Sequence, residues 1–492
     1  MTSARNSGAR RIGSCSRRTF LAAGSVALAE TFMRRATAAA VSKTSRRYKP
    51  VAQAGPGSRY VPRVKAAFVR RKGEYGMRWP GAIYDGESAL KTYRQQMLTA
   101  ANQFGMNVDI RPGPIYSHRE ADQWLAEAEA DKPDGLLMVL LDRQDHAWPT
   151  AAKAVDSPVP AVIFAPLGAA FTTNTAPLAS KYGAFICSTD DFGQAVYGMK
   201  MIRTGAKLRE MRFIVLKGEE RKEARVEHFG TRLSYVPASA FLELYKQTPI
   251  SGEIEAAAAE YINAATRVAG PTKQDVCNGL KSYEVARTIL ESGDGDGITM
   301  DCLGALGRTD VSLPCIAWSR MLDHGVPAAC EADLGACITH ALVQYLFDRP
   351  GFEQDPVADT ANDCLIGAHC TCPTRLRGFD QEPEPFHLSC HHGNRDAVPV
   401  PHWRVGQRIT VADVLLSDKP DTAPAMIISA GEVVDNIAVP PSGGCVVSIS
   451  VKLDDVSDLL TYPGFHQIFF YGDFKKELQA YCRLYGIRAQ IA

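Results

Sequence analysis

The chain has 492 residues, about three times a typical domain of ~150, so two to four domains are expected. Hydrophobic residues make up 46% and charged residues 22%, a globular balance that excludes a disordered, fibrous or channel-forming protein. The 55 lysines and arginines are matched by 54 acids; with no broad basic field to draw in a phosphate backbone, nucleic acid is not an expected partner.

The first forty residues hold seven arginines and one acid, Glu30, which leaves the rest of the chain with five more acids than bases. Ser16-Arg17-Arg18-Thr19-Phe20-Leu21, the modest apolar run to Ala29 and the small residues Ala38-Ala39-Ala40 resemble a twin-arginine export signal with its cleavage site. Residues 1–40 are therefore expected to direct export to the periplasm or the extracellular space. Residues 41–62, with Gly55-Pro56-Gly57 and no apolar periodicity, read as a flexible leader. No other stretch reaches the ~20 unbroken apolar residues of a membrane span. Thirteen cysteines would ordinarily suggest disulfides in an exported protein. The twin-arginine route carries cargo that has already folded, however, and most of these cysteines read as small buried apolar residues.

After the leader, 64–69 reads as a strand, 87–104 as a helix and 108–110 and 136–141 as strands, and 161–165 completes a first α/β unit spanning 63–178. A second unit, 179–384, runs from a strand at 183–188 through a helix at 191–208 to a strand at 211–216. Helices at 238–247 and 281–292, a strand at 298–301, short strands at 311–317 and 328–330 and a helix at 333–347 follow. This alternation predicts two doubly wound, Rossmann-like parallel sheets. From 385 to 492 the grain changes to short segments, 408–415, 425–433, 445–451 and 467–471, punctuated by proline and glycine, which predicts a smaller C-terminal β domain.

In open α/β sheets, ligands collect beyond the carboxyl ends of the strands. Asp301 closes one predicted strand, and Glu331 follows the next, just after Cys330. Each alone reads as a helix cap or a solvated end; as a pair, one crossover apart, they point to a site. His369, in Gly367-Ala368-His369-Cys370-Thr371, and His466, in Tyr462-Pro463-Gly464-Phe465-His466-Gln467, lie in turns or at strand entries. Two carboxylates and two imidazoles form an oxygen-rich donor set suited to manganese, magnesium or iron. Such an ion polarises a carbonyl and its adjacent hydroxyl while a carboxylate moves a proton. A competing metal reading puts zinc on Cys370-Thr371-Cys372 and Cys390-His391, near Cys364 and His392, although Cys-x-Cys is narrower than the usual gap; a disulfide within this group and unlinked core or loop cysteines are the other readings. Gly293-Asp294-Gly295-Asp296-Gly297 lacks the later glutamate of a calcium loop and reads as a tight turn. For a sugar ligand, Arg78-Trp79-Pro80 and the segment from Asp142 to Trp148 offer charged forks beside aromatic faces. Arg78, Trp79 and Trp148 are thus candidate substrate contacts, with hydrophobic plugs as the other reading of the two tryptophans.

Thr299-Met300-Asp301-Cys302-Leu303-Gly304, Cys330-Glu331-Ala332-Asp333, Ala368-His369-Cys370-Thr371, Gly464-Phe465-His466-Gln467 and Tyr471-Gly472-Asp473 resemble, in order, the motif series of the L-fucose/L-arabinose isomerase family. The resemblance covers roughly 64–492, with the first α/β unit matching by pattern alone. It implies that family's three-domain plan and aldose–ketose interconversion of a free monosaccharide through an enediol, with Mn2+, or Mg2+ or Fe2+, as cofactor. It further implies that Asp301 and Glu331 are both metal ligands and the proton-transferring pair, that His466 is a ligand, and that His369 is a fourth ligand or a substrate contact. The loops bearing Trp79 and Trp148 would approach a neighbouring subunit's centre, so a homo-oligomer is implied. Asp301 is one methylene shorter than the glutamate usual at its position. The other function class that fits the pattern is an exported, non-catalytic sugar-binding or sensing protein that keeps the isomerase fold.

Overall fold

The structure, a computed structural model, describes residues 50–492 except 52, 74, 75, 78–83, 144, 392–394, 418, 420, 421 and 440–444. The export signal and residues 41–49 of the leader lie outside the described residues. The first sheet holds β1 (Arg63–Val69), β2 (Asn107–Ile110), β3 (Gly135–Leu140), β4 (Ala161–Ala165) and β5 (Ala184–Ser188). Their order is β2-β1-β3-β4-β5, and every pairing is parallel. Helices cover both faces, so the inner strands β1, β3 and β4 are apolar on both sides rather than alternating. Ala66 and Phe68 of β1 join one core while Ala67 and Val69 join the other.

The second sheet contains β6 (Arg212–Leu216), β7 (Lys222–Val226), β8 (Thr231–Val236), β9 (Gly297–Met300) and β10 (Ala328–Ala329), in the order β10-β9-β6-β8-β7. Only the edge strand β7 is antiparallel. The run 311–317 is not a strand: it leads into the helix Cys315–Asp323. A short apolar run fits a buried helix as well as a strand, and here the helix prevails.

The C-terminal part is a closed antiparallel barrel of β11 (Phe352–Asp359), β12 (Cys364–His369), β15 (Arg408–Leu415), β16 (Ala425–Asn436), β17 (Val447–Leu453) and β18 (Gln467–Tyr471), with β19 (Arg488–Ile491) added parallel to β16. The ring closes because β15 pairs with both β16 and β18. Closure leaves no open sheet edge among these six strands. Two barrel strands, β11 and β12, precede residue 385, where the sequence grain changes. The hairpin β13 (Phe386–His391) and β14 (Arg395–Pro401) instead forms a separate small sheet with Val268–Ala269. Between the second sheet and the barrel lies the helix Leu334–Phe347, in which eleven of fourteen residues are buried. It shares one core with β6, β15, β16 and β18, and Thr339 Oγ1 accepts from Val414 N at 3.0 Å. No helix among the described residues is long and apolar enough to cross a membrane.

The described end of the expected leader is bound, not loose. Pro56–Arg59 forms a helical turn, and Asp296, 2% exposed, accepts from Gly57 N at 2.9 Å, from Ser58 N and Oγ at 2.7 Å and from Arg212 N at 3.0 Å. Lys207 Nζ donates at 3.0 Å to the carbonyls of Gly57, Ser58 and Tyr60. The buried charges and the backbone satisfy each other, which no apolar periodicity announces. Asp296→Ala strips an acceptor from four donors and should cost about 3 kcal/mol in urea unfolding while exposing residues 53–62 to limited proteolysis. A loss below about 1 kcal/mol with unchanged proteolysis would contradict this anchoring.

Candidate metal centre

β9 and β10 run side by side with Ile298 opposite Ala328 and Thr299 opposite Ala329, so Asp301 and Glu331 leave adjacent carboxyl ends. Beyond β10 the chain turns sharply. Glu331 and Ala332 both take left-handed backbone, φ 54° and 57°, and Ala332 N donates to the Met300 carbonyl at 3.0 Å. Asp333 then caps the helix Leu334–Phe347, its Oδ1 accepting from Ala336 N at 2.8 Å. From the barrel, β12 ends on His369, and His466, φ 52°, immediately precedes β18. Left-handed backbone at a non-glycine residue costs on the order of 1–3 kcal/mol and persists where the surroundings over-determine it.

Glu331, His369 and His466 come together, with one ligand atom from each lying within 4.8 Å of the others, and among the described residues they are the one such group of three. Both imidazoles are buried, and their rings meet edge to face at 5.7 Å. Asp301 stands outside this group: its Oδ1 accepts from Gly304 N at 3.1 Å, capping the short helix Cys302–Leu306.

Four carboxylates surround His466. Nδ1 lies 3.0 Å from Asp333 Oδ2 and 4.0 Å from Glu353 Oε1, while Nε2 lies 3.4 Å from Asp355 Oδ1 and 3.6 Å from Glu331 Oε2. Burial opposes a charge on the ring, but the hydrogen bond to Asp333 and the charges of Glu353, Asp333 and Asp355 outweigh it and raise His466 to about 9. Burial also acts on the acids. It lifts Glu353 to about 8 against the pull of His466 and of Cys330 N, which donates to Oε2 at 2.8 Å. Burial likewise lifts Asp413 to about 7, helped by the charge of Asp333. Asp355 is raised by burial too, and Asp333, despite its burial, is held low by its bond to His466. Behind Glu353, burial keeps His340 neutral, at about 3, 3.6 Å from Oε2. With Nδ1–H donated to Asp333, the Nε2 edge of His466 faces Glu331 and Asp355, the arrangement by which an outer carboxylate orients a ligating imidazole. Two imidazoles and a carboxylate among these acids fit a divalent cation, because the negative charge exceeds what one imidazolium neutralises.

Sequence reasoning missed Asp333, Glu353, Asp355 and Asp413. Glu353 and Asp355 sit two apart on β11 and Asp413 lies inside the apolar run of β15, so charge within barrel strands was the signal. Trp148, expected as a sugar contact, is packed in the core of the first unit, with Nε1 donating to the Ala169 carbonyl at 2.9 Å. Arg78 and Trp79 lie outside the described residues, as does His392. Cys370 and Cys372 form no three-residue metal group with Cys390 and His391 among the described residues. Gly293–Gly297 is indeed a turn, in which Asp294, φ 49°, pairs with Arg59.

No protein-family model matches the chain, and no curated protein does. Among solved structures, an ABC transporter solute binding protein from Burkholderia multivorans, with an unknown ligand built as alpha-D-erythrofuranose, aligns over 49% of this chain and 80% of its own at 10% identity. The TM-score is 0.17, too low to carry an argument about fold or ligand.

For cation-free protein the electrostatics fix a sign. A histidine raised from ~6.5 unfolded to about 9 folded contributes stability that is fully present below pH ~6.5 and is lost as pH rises through about 9. The raised Glu353 and Asp413 act in the same direction at lower pH. Chelator-treated protein should therefore lose unfolding free energy from pH 7 to 9.5, and Asp333→Asn should flatten that decline. An NMR midpoint for His466 below 7 would refute the assignment.

Proposed function

We propose that the protein is a metal-dependent aldose–ketose isomerase of the L-fucose/L-arabinose isomerase type, acting on a free monosaccharide after export through the twin-arginine signal at 1–40. The observation that carries this reading is the meeting of Glu331, His369 and His466, from a parallel sheet and a barrel, in one acid-rich cluster. These three residues would hold a divalent ion, manganese first by the chemistry of the donors and magnesium or iron next. When bound, the ion supplies Lewis acidity at the sugar carbonyl and the adjacent hydroxyl.

The chain's own groups account for the rest. Asp301 and Glu331 leave neighbouring strand ends, so a sugar between them has one carboxylate at hand to take the C2 proton and return that same proton to C1, and another to pass the hydroxyl proton from O2 to O1. Asp301 Oδ1 is committed to Gly304 N–H, which orients the group and leaves Oδ2 for the proton. Phe465, 58% exposed and 4.4 Å ring to ring from His466, offers an apolar face to the C–H side of a sugar.

One observation favours the second reading, an exported sugar-binding or sensing protein without turnover. Asp301 acts as a helix cap outside the triad, with a shorter reach than the glutamate the resemblance calls for.

Protein loaded with Mn2+ and offered a panel of free aldoses should release ketoses. Glu331→Gln and Asp301→Asn should each lower turnover by roughly 10²–10⁴-fold, and only Glu331→Gln should also weaken Mn2+ binding. Stoichiometric Mn2+ and calorimetric sugar binding without any ketose would select the second reading; absence of bound ion at any pH would end the first.

A further inference from the structure

None of the twelve described cysteines is in a disulfide, and eleven of them are buried; Cys445 alone is partly exposed. Its thiol lies close enough to that of Cys370 for the two to perturb each other's ionisation. The two come from neighbouring strands at one end of their pairing. β12 and β17 run antiparallel with His369 opposite Val447 as the terminal pair, so Cys370 is the first residue beyond that pair on one side and Cys445 lies just outside it on the other. A second thiol pair, Cys302 with Cys330, is likewise close enough for mutual perturbation, but both of its members are buried, at 8% and 4% exposure. The first pair thus combines a thiol that a reagent can reach with a sheltered partner in contact.

We propose that Cys445 and Cys370 form a reversible disulfide that clamps the end of β12 and thereby fixes His369 in the metal centre. Cys445, as thiolate, attacks one sulfur of a low-molecular-weight disulfide and expels one thiol. Cys370 gives up its proton, attacks the Cys445 sulfur of the mixed disulfide and expels the second thiol. Two electrons and two protons pass to the external disulfide, which leaves as two thiols. The new bond joins positions 75 residues apart in sequence, directly beyond the terminal His369–Val447 pair, where a strand end is freest to fray. The consequence for metal binding rests on the reading of Glu331, His369 and His466 as ligands; the disulfide itself does not.

The test equilibrates the full chain in glutathione buffers, one reduced and one oxidised. Non-reducing peptide mapping follows the linkage, and Mn2+ titration by electron paramagnetic resonance follows the centre. The expected result is a Cys370–Cys445 linked peptide in the oxidised buffer, with Mn2+ held about 3- to 10-fold tighter than in the reduced buffer through preorganisation of one ligand. Cys445→Ser and Cys445→Ala should hold the weaker affinity in both buffers. No linked peptide, or a linked peptide with equal affinity in the two buffers, overturns the proposal. A linked peptide with no Mn2+ binding in either buffer refutes the metal reading and, with it, the control of the centre.

Discussion

A single imidazolium set among four carboxylates dominates the electrostatics of this molecule. Among the described residues His466 is the one positive group touching Glu331, Asp333, Glu353 and Asp355, and each of those acids comes from an element that the rest of the fold must deliver. Gathering four carboxylates, one of them buried and three half-buried, is expensive unless protons or a cation compensate. The cation-free molecule compensates with protons on His466 and Glu353. A divalent ion would satisfy the same deficit with fewer protons, which makes the cluster a candidate cation site.

The architecture explains how residues so far apart in sequence meet. Parallel strands β9 and β10 end together and supply Asp301 and Glu331, whereas the barrel supplies His369, His466, Glu353, Asp355 and Asp413. The helix Leu334–Phe347 joins the two halves. Its cap, Asp333, is also the acceptor that orients His466, so helix initiation and ligand orientation depend on one carboxylate. Because this helix is buried almost all round, it cannot rotate without breaking the core shared with the barrel, and the site inherits that rigidity.

Much of this was legible in sequence, for identifiable reasons. Strong periodicity marked β6, β15 and β18, and the rule that ligands gather at strand carboxyl ends brought out Asp301 and Glu331. Other features left no local trace. Residues 311–317 are apolar enough for a strand, but helix packing claimed their second half. Residues 53–62 lack periodicity because their anchoring comes from Asp296 and Lys207, more than a hundred positions away. Trp148 carries the same polar tip whether it meets a sugar or, as here, the Ala169 carbonyl. Glu353, Asp355 and Asp413 were hidden because an acid in a strand looks solvent-facing until the barrel closes around it.

Backbone conformation separates a built site from an accidental cluster of charges. Glu331, Ala332 and His466 all hold positive φ without being glycine, and two of the three are candidate ligands. Glycine at these positions would relieve the strain but remove the carboxylate and the imidazole. The bonds that hold these turns are local and specific: Ala332 N to the Met300 carbonyl, Asp333 N to the Cys330 carbonyl and His466 to Asp333. Each one links a ligand-bearing turn to a strand end or a helix cap. The turns are therefore set by the ends of β9, β10 and the helix, and any ion that enters meets ligands already positioned by the backbone.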